Sequence, residues 1–468
     1  MKNPKPRVGL LALTLELYDS LAPQLRRERE RWVRREILPA LRRSATVRFD
    51  GAVFTAADVA AAVHGFETDN CDALLVMCLS YAPSLIALPA LRQTSLPIIV
   101  WNTQELPAVT DQFGRAEMMA NHGVHGTQDL CSVLVRSEVP FEYVSSHISD
   151  DNATGELERF FRAAEAARAM RQARVGLLGY PFPGMGDFAV SSTHLAATLG
   201  AQIVPLSVDE FVTRAARATT ASVHKLIAEY RNLYELDPGM TAEELDATAR
   251  AELALTRMIR THRLDALAYQ FMAFGEDERS ETLPFVAACR MMIDGVGFGG
   301  EGDVVGALGA WLLNRIAPPA TFSEMFTADY GGNGVFMSHM GEINVAMARP
   351  DRPIRMVARP GKITATRQRQ FALVPEMRSG PATLFALVQG PGGRWRFVVS
   401  AVTLEPFEPL RDLTVPQFAL TPDGRDVRDW LTCYAKAGGP HHNAVCPGDA
   451  RPALYVLAGL LDADYCEV

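Results

Sequence analysis

The sequence predicts an α/β fold: two tandem doubly wound parallel-sheet (Rossmann-like) domains followed by a β-rich, antiparallel barrel-like C-terminal domain. Three observations predict it. From residue 8 onward, short apolar runs alternate with amphipathic helical stretches, the pattern of strands covered on both faces. The alternation starts afresh at Arg174. After about residue 322, long helical periods vanish and short strands between Gly and Pro turns take over. The predicted domains are therefore 1–173, 174–322 and 323–468.

In the first domain VGLLALT reads as a buried strand and 25–41 as a charged helix. TVRFDGAVF, a helix over 56–66, DALLVMCL, a helix ending near Leu91, and PIIVWNT follow, and a helix over 157–171 closes the unit. In the second, VGLLGY and AQIVPLSV read as strands, and helices are expected over 214–234 and 242–262. DALAYQFMAF is expected to be one strand, followed by helices over 283–293 and 304–316, the latter capped by Asp303. GVFMSHM, IRMVARPG, ATLFALVQGPGG and RWRFVVSAVTL supply strands of the third, and a helix over 453–461 is expected to end the chain.

The bulk properties narrow the function classes. With 468 residues, 48% hydrophobic and 21% charged, the chain has the composition of a folded protein and not of a disordered one. A net charge of -8 argues against a broad nucleic-acid surface, which calls for clustered Lys and Arg. Seven scattered cysteines without a CxxC pair fit neither a disulfide framework nor a thiolate zinc site, and read as reduced thiols. The run after Arg7 meets Glu16 and Asp19 at once, which argues against a signal peptide. The uncharged stretch 73–91 holds Pro83, Pro89, Ser80 and Ser84 and divides into strand, loop and helix, so no membrane segment is expected. A cytoplasmic protein acting on a small polar substrate is the expectation.

Four segments place acids or imidazoles at turns: GVGFGGEGD with Glu301, TFSEMF with Glu324, SHMGE with His339, and GGPHHN with His441 and His442. The glycines at 295, 297 and 300 spell GxGxxG, but a helical pattern precedes them where a dinucleotide site needs a strand. A glycine-rich turn presenting Glu301 at a helix N-terminus is the better reading. Two carboxylates with imidazoles form a mixed oxygen and nitrogen set, suited to manganese, cobalt or magnesium-like ions. Taken singly, a buried histidine or a capping glutamate remains the ordinary alternative.

The order LP-x-x-A, GxGFxGEGD, T-x-x-E, SHM-x-E and GG-x-HH, spanning Leu283 to His442, resembles the L-arabinose isomerase family within the arabinose/fucose isomerase-like sugar isomerases. The resemblance extends weakly over nearly the whole chain and implies an aldose–ketose isomerase. It implies L-arabinose to L-ribulose and D-galactose to D-tagatose conversion through a cis-enediol, with direct hydride shift as the rival route. By it, Glu301, Glu324, His339 and His442 would bind Mn2+ (or Co2+ or Mg2+), and Glu301 and Glu324 would shuttle the proton. Asp329 competes with Glu324, and either imidazole of the 441–442 pair could be the ligand. His125, His122, Met185, Phe274, His441, Tyr18 and Met340 match sugar-contacting positions, and Tyr81 stands where an aromatic is expected. The resemblance further implies a homo-oligomer, hexamer or tetramer, whose active site is shared between subunits through the NHGVHG segment.

Two departures bear on the substrate. Leu15 and His122 stand where the family has glutamines that would bond sugar hydroxyls. Losing a partner for a buried hydroxyl costs roughly 1–3 kcal/mol, enough to redirect specificity. A fucose-isomerase-like enzyme acting on a 6-deoxy or other aldose, toward which the segment NHGVHGTQDL and the HMGE form of the histidine motif lean, is a second expectation, and a non-catalytic sugar-binding protein a third.

Overall fold

The run at Arg7–Leu13 offers no polar face to water, and it folds as an inner strand of a six-stranded sheet. The computed structural model describes residues 4–359 and 363–468, which form two units, Pro4–Arg168 and Ala169–Val468. In the smaller unit the strands lie in the order Thr46–Arg48, Arg7–Leu13, Ala73–Cys78, Ile98–Asn102 and Glu142–Ser145, all parallel. Ala52–Val53 extends the pairing at the end of Arg7–Leu13. Val59, Val63 and Phe66 of the helix Ala56–Thr68 and Leu130 and Leu134 of the helix Gly123–Arg136 pack against Leu74 and Val76.

The larger unit repeats the parallel plan. Its strands lie in the order Gln202–Leu206, Arg174–Leu178, Ala266–Tyr269 and Gly297–Gly299. The strand order reverses between Arg174–Leu178 and Ala266–Tyr269, and in such sheets ligands sit outside the carboxyl ends at that reversal. Its β-rich part is a seven-stranded mixed sheet: Gly380–Gln389, His442–Pro447, Thr321–Asp329, Gly334–Ser338, Gln417–Pro422, Trp395–Leu404 and Asp464–Glu467. Every pairing in it is antiparallel except Trp395–Leu404 with Asp464–Glu467. Among the described residues no helix is long and apolar enough to cross a membrane.

Several expected elements differ. The helix expected over 214–234 is two helices, Val208–Ala216 and Thr220–Leu233, because Thr219 leaves helical backbone and accepts the Ser222 N–H as a cap. DALAYQFMAF is a strand only to Tyr269. Gln270 then accepts the Met272 N–H and starts the helix Phe271–Gly275. Glycine-rich Gly297–Gly299, read as turn, is a strand, since the parallel ladder needs only backbone groups. IRMVARPG contributes Ile354–Ala358, which pairs with Phe371–Val374 and Tyr234–Leu236 in a separate three-stranded sheet; residues 360–361 lie outside the described residues. A helix, Val427–Lys436, stands where none was expected, with Asp426 accepting the Arg428 N–H. The final helix, Arg451–Leu460, does not end the chain, for Asp464–Glu467 adds an edge strand.

One ion pair ties the helix Ala242–His262 to residue 369. Glu244 accepts from the Arg369 Nε at 2.6 Å while closing a capping box with Thr241. The Arg369 hydrogen bond holds the Glu244 carboxyl below its usual range against the pull of burial. A depressed carboxyl contributes stability above its unfolded pKa, about 4.3, and loses it as pH falls through the lower folded value. Glu244→Gln is expected to cost about 1–3 kcal/mol at pH 7. The gap from wild type should close below about pH 4 in urea melts across a pH series.

Candidate active site

Strand register assembles the first half of the site. Glu324 lies directly opposite His442 on one neighbouring strand and Ser338 on the other, and His339 follows Ser338. Cross-strand neighbours stand about 4.5–5.5 Å apart at Cβ, which sets Glu324 beside His442, while His339 enters from the first position past the end of its strand. One ligating atom each from Glu324, His339 and His442 lies within 4.8 Å of the others.

The second half comes from the glycine turn. Gly297–Gly299 ends at the carboxyl edge of the parallel sheet, and Glu301 then adopts a left-handed backbone, φ 58°. Strain of this kind in a non-glycine residue clusters at functional sites. Its carbonyl accepts the Phe182 N–H at 2.9 Å. Gly302 must lack a side chain, because φ is 80° and a Cβ would lie 2.5 Å from the Tyr180 carbonyl oxygen. The Glu301 carboxylate thereby reaches His442 Nε2 at 3.6 Å and His441 Nε2 at 3.8 Å. These three form a second potential ligand group, sharing His442 with the first.

Each imidazole is oriented from behind. His339 Nδ1 pairs with Glu342 at 2.6 Å, and Glu342 accepts from the buried Tyr269 hydroxyl. His442 Nδ1 pairs at 3.0 Å with Asp303, whose other oxygen caps the helix Val304–Ile316 by accepting the Gly306 N–H. His441 Nδ1 and its backbone N–H both bond Asp187. Carboxylate–histidine pairs of this form fix the tautomer and aim the other ring nitrogen at a ligand. The Phe188 ring stacks on His442, and Phe322 meets both His339 and His442 edge-on.

The electrostatics separate the two carboxylates. Burial pushes the Glu324 carboxyl up, whereas the surrounding His441, His442 and His339 carry Glu301 below its usual range against burial. Burial drives His442 well down, helped by the neighbouring imidazoles, and lifts Asp303 to about 7. Glu301 and Asp187 hold His441 up to about 9.

The donor set fits a divalent cation on one observation. Glu301 Oε2 and the Nε2 atoms of His339, His441 and His442 are buried with no hydrogen-bond partner, although buried polar groups are nearly always paired. Mixed carboxylate and imidazole donors with waters suit Mn2+, Co2+ or Mg2+-like coordination. A Cβ on Gly300 would fall 2.4 Å from His339 Nε2. Gly300→Ala is therefore expected to push that imidazole aside and weaken Mn2+ binding about tenfold or more, read by titration calorimetry against wild type.

Not every residue singled out in the sequence joins this cluster. Asp329 sits at the far end of its strand, accepting the Gly331 and Gly332 N–H groups, so Glu324 is the carboxylate at the cluster. Met185 is half-buried, its N–H on the Phe182 carbonyl, and Met340 is half-buried beside His339. Phe274 is fully buried between Phe211 and Tyr269. Tyr18, His122, His125 and Tyr81 belong to the smaller unit. There the Tyr18 hydroxyl bonds His122 Nε2 at 3.2 Å, and Tyr81 stacks on His125 at 4.3 Å. Burial pushes His122 down.

Sequence reasoning missed Asp187, Phe188, Tyr269 and the supporting role of Glu342. Asp187 and Phe188 follow Met185 in PFPGMGDF, and only the rule that a ligating histidine wants a carboxylate behind it could have prompted a search.

Comparison with known proteins agrees along the chain. Residues 185–316 match the L-arabinose isomerase central domain and 319–464 the L-arabinose isomerase C-terminal domain. Residues 23–171 match the fucose/sulfoquinovose isomerase N-terminal domain. The L-arabinose isomerase of Nocardioides sp. is 27% identical over 395 residues, 81% of this chain and 76% of that protein. That of Mycolicibacterium smegmatis is 25% identical over 481 residues, 97% of this chain and 90% of its own. L-arabinose isomerase 1 of Bacillus licheniformis is 24% identical, covering 81% and 76%.

Proposed function

The chain belongs to the L-arabinose isomerase family of aldose–ketose isomerases, and on that premise we propose that it isomerises L-arabinose to L-ribulose, and D-galactose to D-tagatose, with Mn2+. The observation that carries the proposal is the set of orphaned, inward-facing ligand atoms around His442. Glu301, Glu324, His339 and His442 would hold the cation, with Co2+ or Mg2+ as possible substitutes. It would supply Lewis-acid chemistry there, offsetting negative charge that develops on the sugar oxygens.

This chain's own residues supply the proton chemistry. Moving the carbonyl from C1 to C2 requires taking a proton from C2 and delivering one to C1. Glu301, carried below its usual range by the imidazoles around it against the pull of burial, is suited to take the proton from C2 and return it to C1, and Glu324, pushed up by burial, to pass the hydroxyl proton from O2 to O1. This route passes through a cis-enediol. His441, more exposed than His442, would bond a sugar oxygen, and Phe188 and Phe322, packed on the imidazoles, would limit water around the reacting carbons. Met185 and Met340, both half-buried, would line the sugar, whereas Phe274, fully buried between Phe211 and Tyr269, would back the wall from behind and not touch it.

We assign His125, His122 and Tyr18 to a neighbouring subunit's site in a hexamer or tetramer. Support comes from the exposed Leu17, Leu21 and Val124 that flank them in sequence, since apolar side chains clustered on a surface mark interfaces. A three-domain division at 173 and 322 is supported by the three family matches. A barrel-like C-terminal domain is supported by the pairing of Gly380–Gln389 with both His442–Pro447 and Trp395–Leu404, which brings the ladder back to its first strand. The expected compartment is the cytoplasm.

A second reading, an isomerase of a 6-deoxy or other aldose, is favoured by the N-terminal match to the fucose/sulfoquinovose isomerases and by Leu15 and His122. One experiment tests both. Metal-stripped protein is reloaded with Mn2+, Co2+ or Mg2+ and offered L-arabinose, D-galactose and L-fucose separately, with ketose measured. Preference for L-fucose selects the second reading, and no ketose from any pairing overturns the first and second together.

A further inference from the structure

His441 and His442 are chain neighbours with rings 4.1 Å apart, yet they are supported differently. The carboxylate behind His442, Asp303, is 3% exposed and locked as a helix cap. The one behind His441, Asp187, is 36% exposed and belongs to a loop outside any helix or strand, after Gly184 at φ 92°. Asp187 accepts from both the ring Nδ1 and the main-chain N–H of His441, so a single carboxylate sets the backbone and the ring together. With Nδ1 engaged, Nε2 is the free edge. It is buried, without a partner, and faces Glu301 Oε2 at 3.8 Å.

We propose that Asp187 is a positioning residue for the isomerisation: it acts through His441, fixing the ring so that Nε2 points toward the space between Glu301 and the bound sugar. The proposal rests on the isomerase reading above. The two supports divide the labour. A buried, capped Asp303 aims His442 at the cation, while Asp187, reaching in from an exposed loop, aims His441 at the sugar. Asp187 need touch neither cation nor sugar.

The test is a double-substitution cycle on the Mn2+-loaded enzyme. D187N keeps the shape but loses the charged acceptor, and is expected to lower kcat about 10–100-fold, the usual cost of removing such a support. Mn2+ affinity, measured by calorimetry, should stay within threefold of wild type, and D187E should recover part of kcat. In an H441N background the D187N change should cost less than twofold, because residues acting as a unit are not additive. An equal cost in both backgrounds would overturn the proposal, as would loss of Mn2+ binding in step with kcat, which would mean general damage to the site. A readout without turnover keeps failure of this proposal apart from failure of the isomerase reading. Diethyl pyrocarbonate labelling of His441, followed by peptide mass spectrometry, should run several-fold faster in D187N, and unchanged labelling would refute the Asp187 restraint whatever the substrate.

Discussion

Glu301→Gln is expected to lower turnover by about 10²–10⁴-fold, the range that a positioned acid or base contributes, with the fold unchanged by circular dichroism. Gln preserves volume and hydrogen bonding, so the strained turn at φ 58° should survive. What disappears is a carboxylate oxygen that stands 3.6 Å from His442 Nε2 and 3.8 Å from His441 Nε2. The effect should fall on kcat more than on KM, because the proton is transferred only in the chemical step. Turnover within tenfold of wild type would show that the base lies elsewhere. A sugar-binding protein would also bind its ligand equally well before and after the change, which separates that reading from catalysis.

Removing the divalent cation should abolish turnover and lower stability at once. The unpartnered atoms of Glu301, His339 and His442 carry a desolvation cost that a bound ion would offset. A ligand that binds only the folded state at 100 times its Kd adds about 2.7 kcal/mol. Chelated protein is therefore expected to melt earlier than Mn2+-loaded protein, with the gap growing with free Mn2+. Glu324→Gln combined with His339→Asn should erase that gap, since both atoms lie within 4.8 Å of His442 in one ligand group. A melting temperature indifferent to chelation would refute cation binding here even if turnover survived.

The sequence was most legible where physical rules act locally. Asp303 as the cap of Val304–Ile316 followed from side-chain chemistry over four residues, and 242–262 matches the observed helix because the Thr241–Glu244 box starts it. Legibility failed where a short polar side chain interrupts a continuous pattern. Thr219 and Gln270 each begin a new helix by accepting a backbone N–H, and neither changes the hydrophobic period around it. It failed again at Gly297–Gly299, a strand with almost no side chains to announce it.

The amino-acid order by itself determined the parallel and β-rich division of the chain, because apolar runs and turn residues act over a few positions. It also named the chemistry-bearing groups Glu301, Glu324, His339, His441 and His442. Only tertiary structure decided that they converge, that Glu324 and not Asp329 stands beside His442, and that Asp187, Asp303 and Glu342 back the three imidazoles. The reason is geometric: strand register places side chains from residues more than 100 positions apart side by side, and no local pattern in a chain encodes which strands will be neighbours.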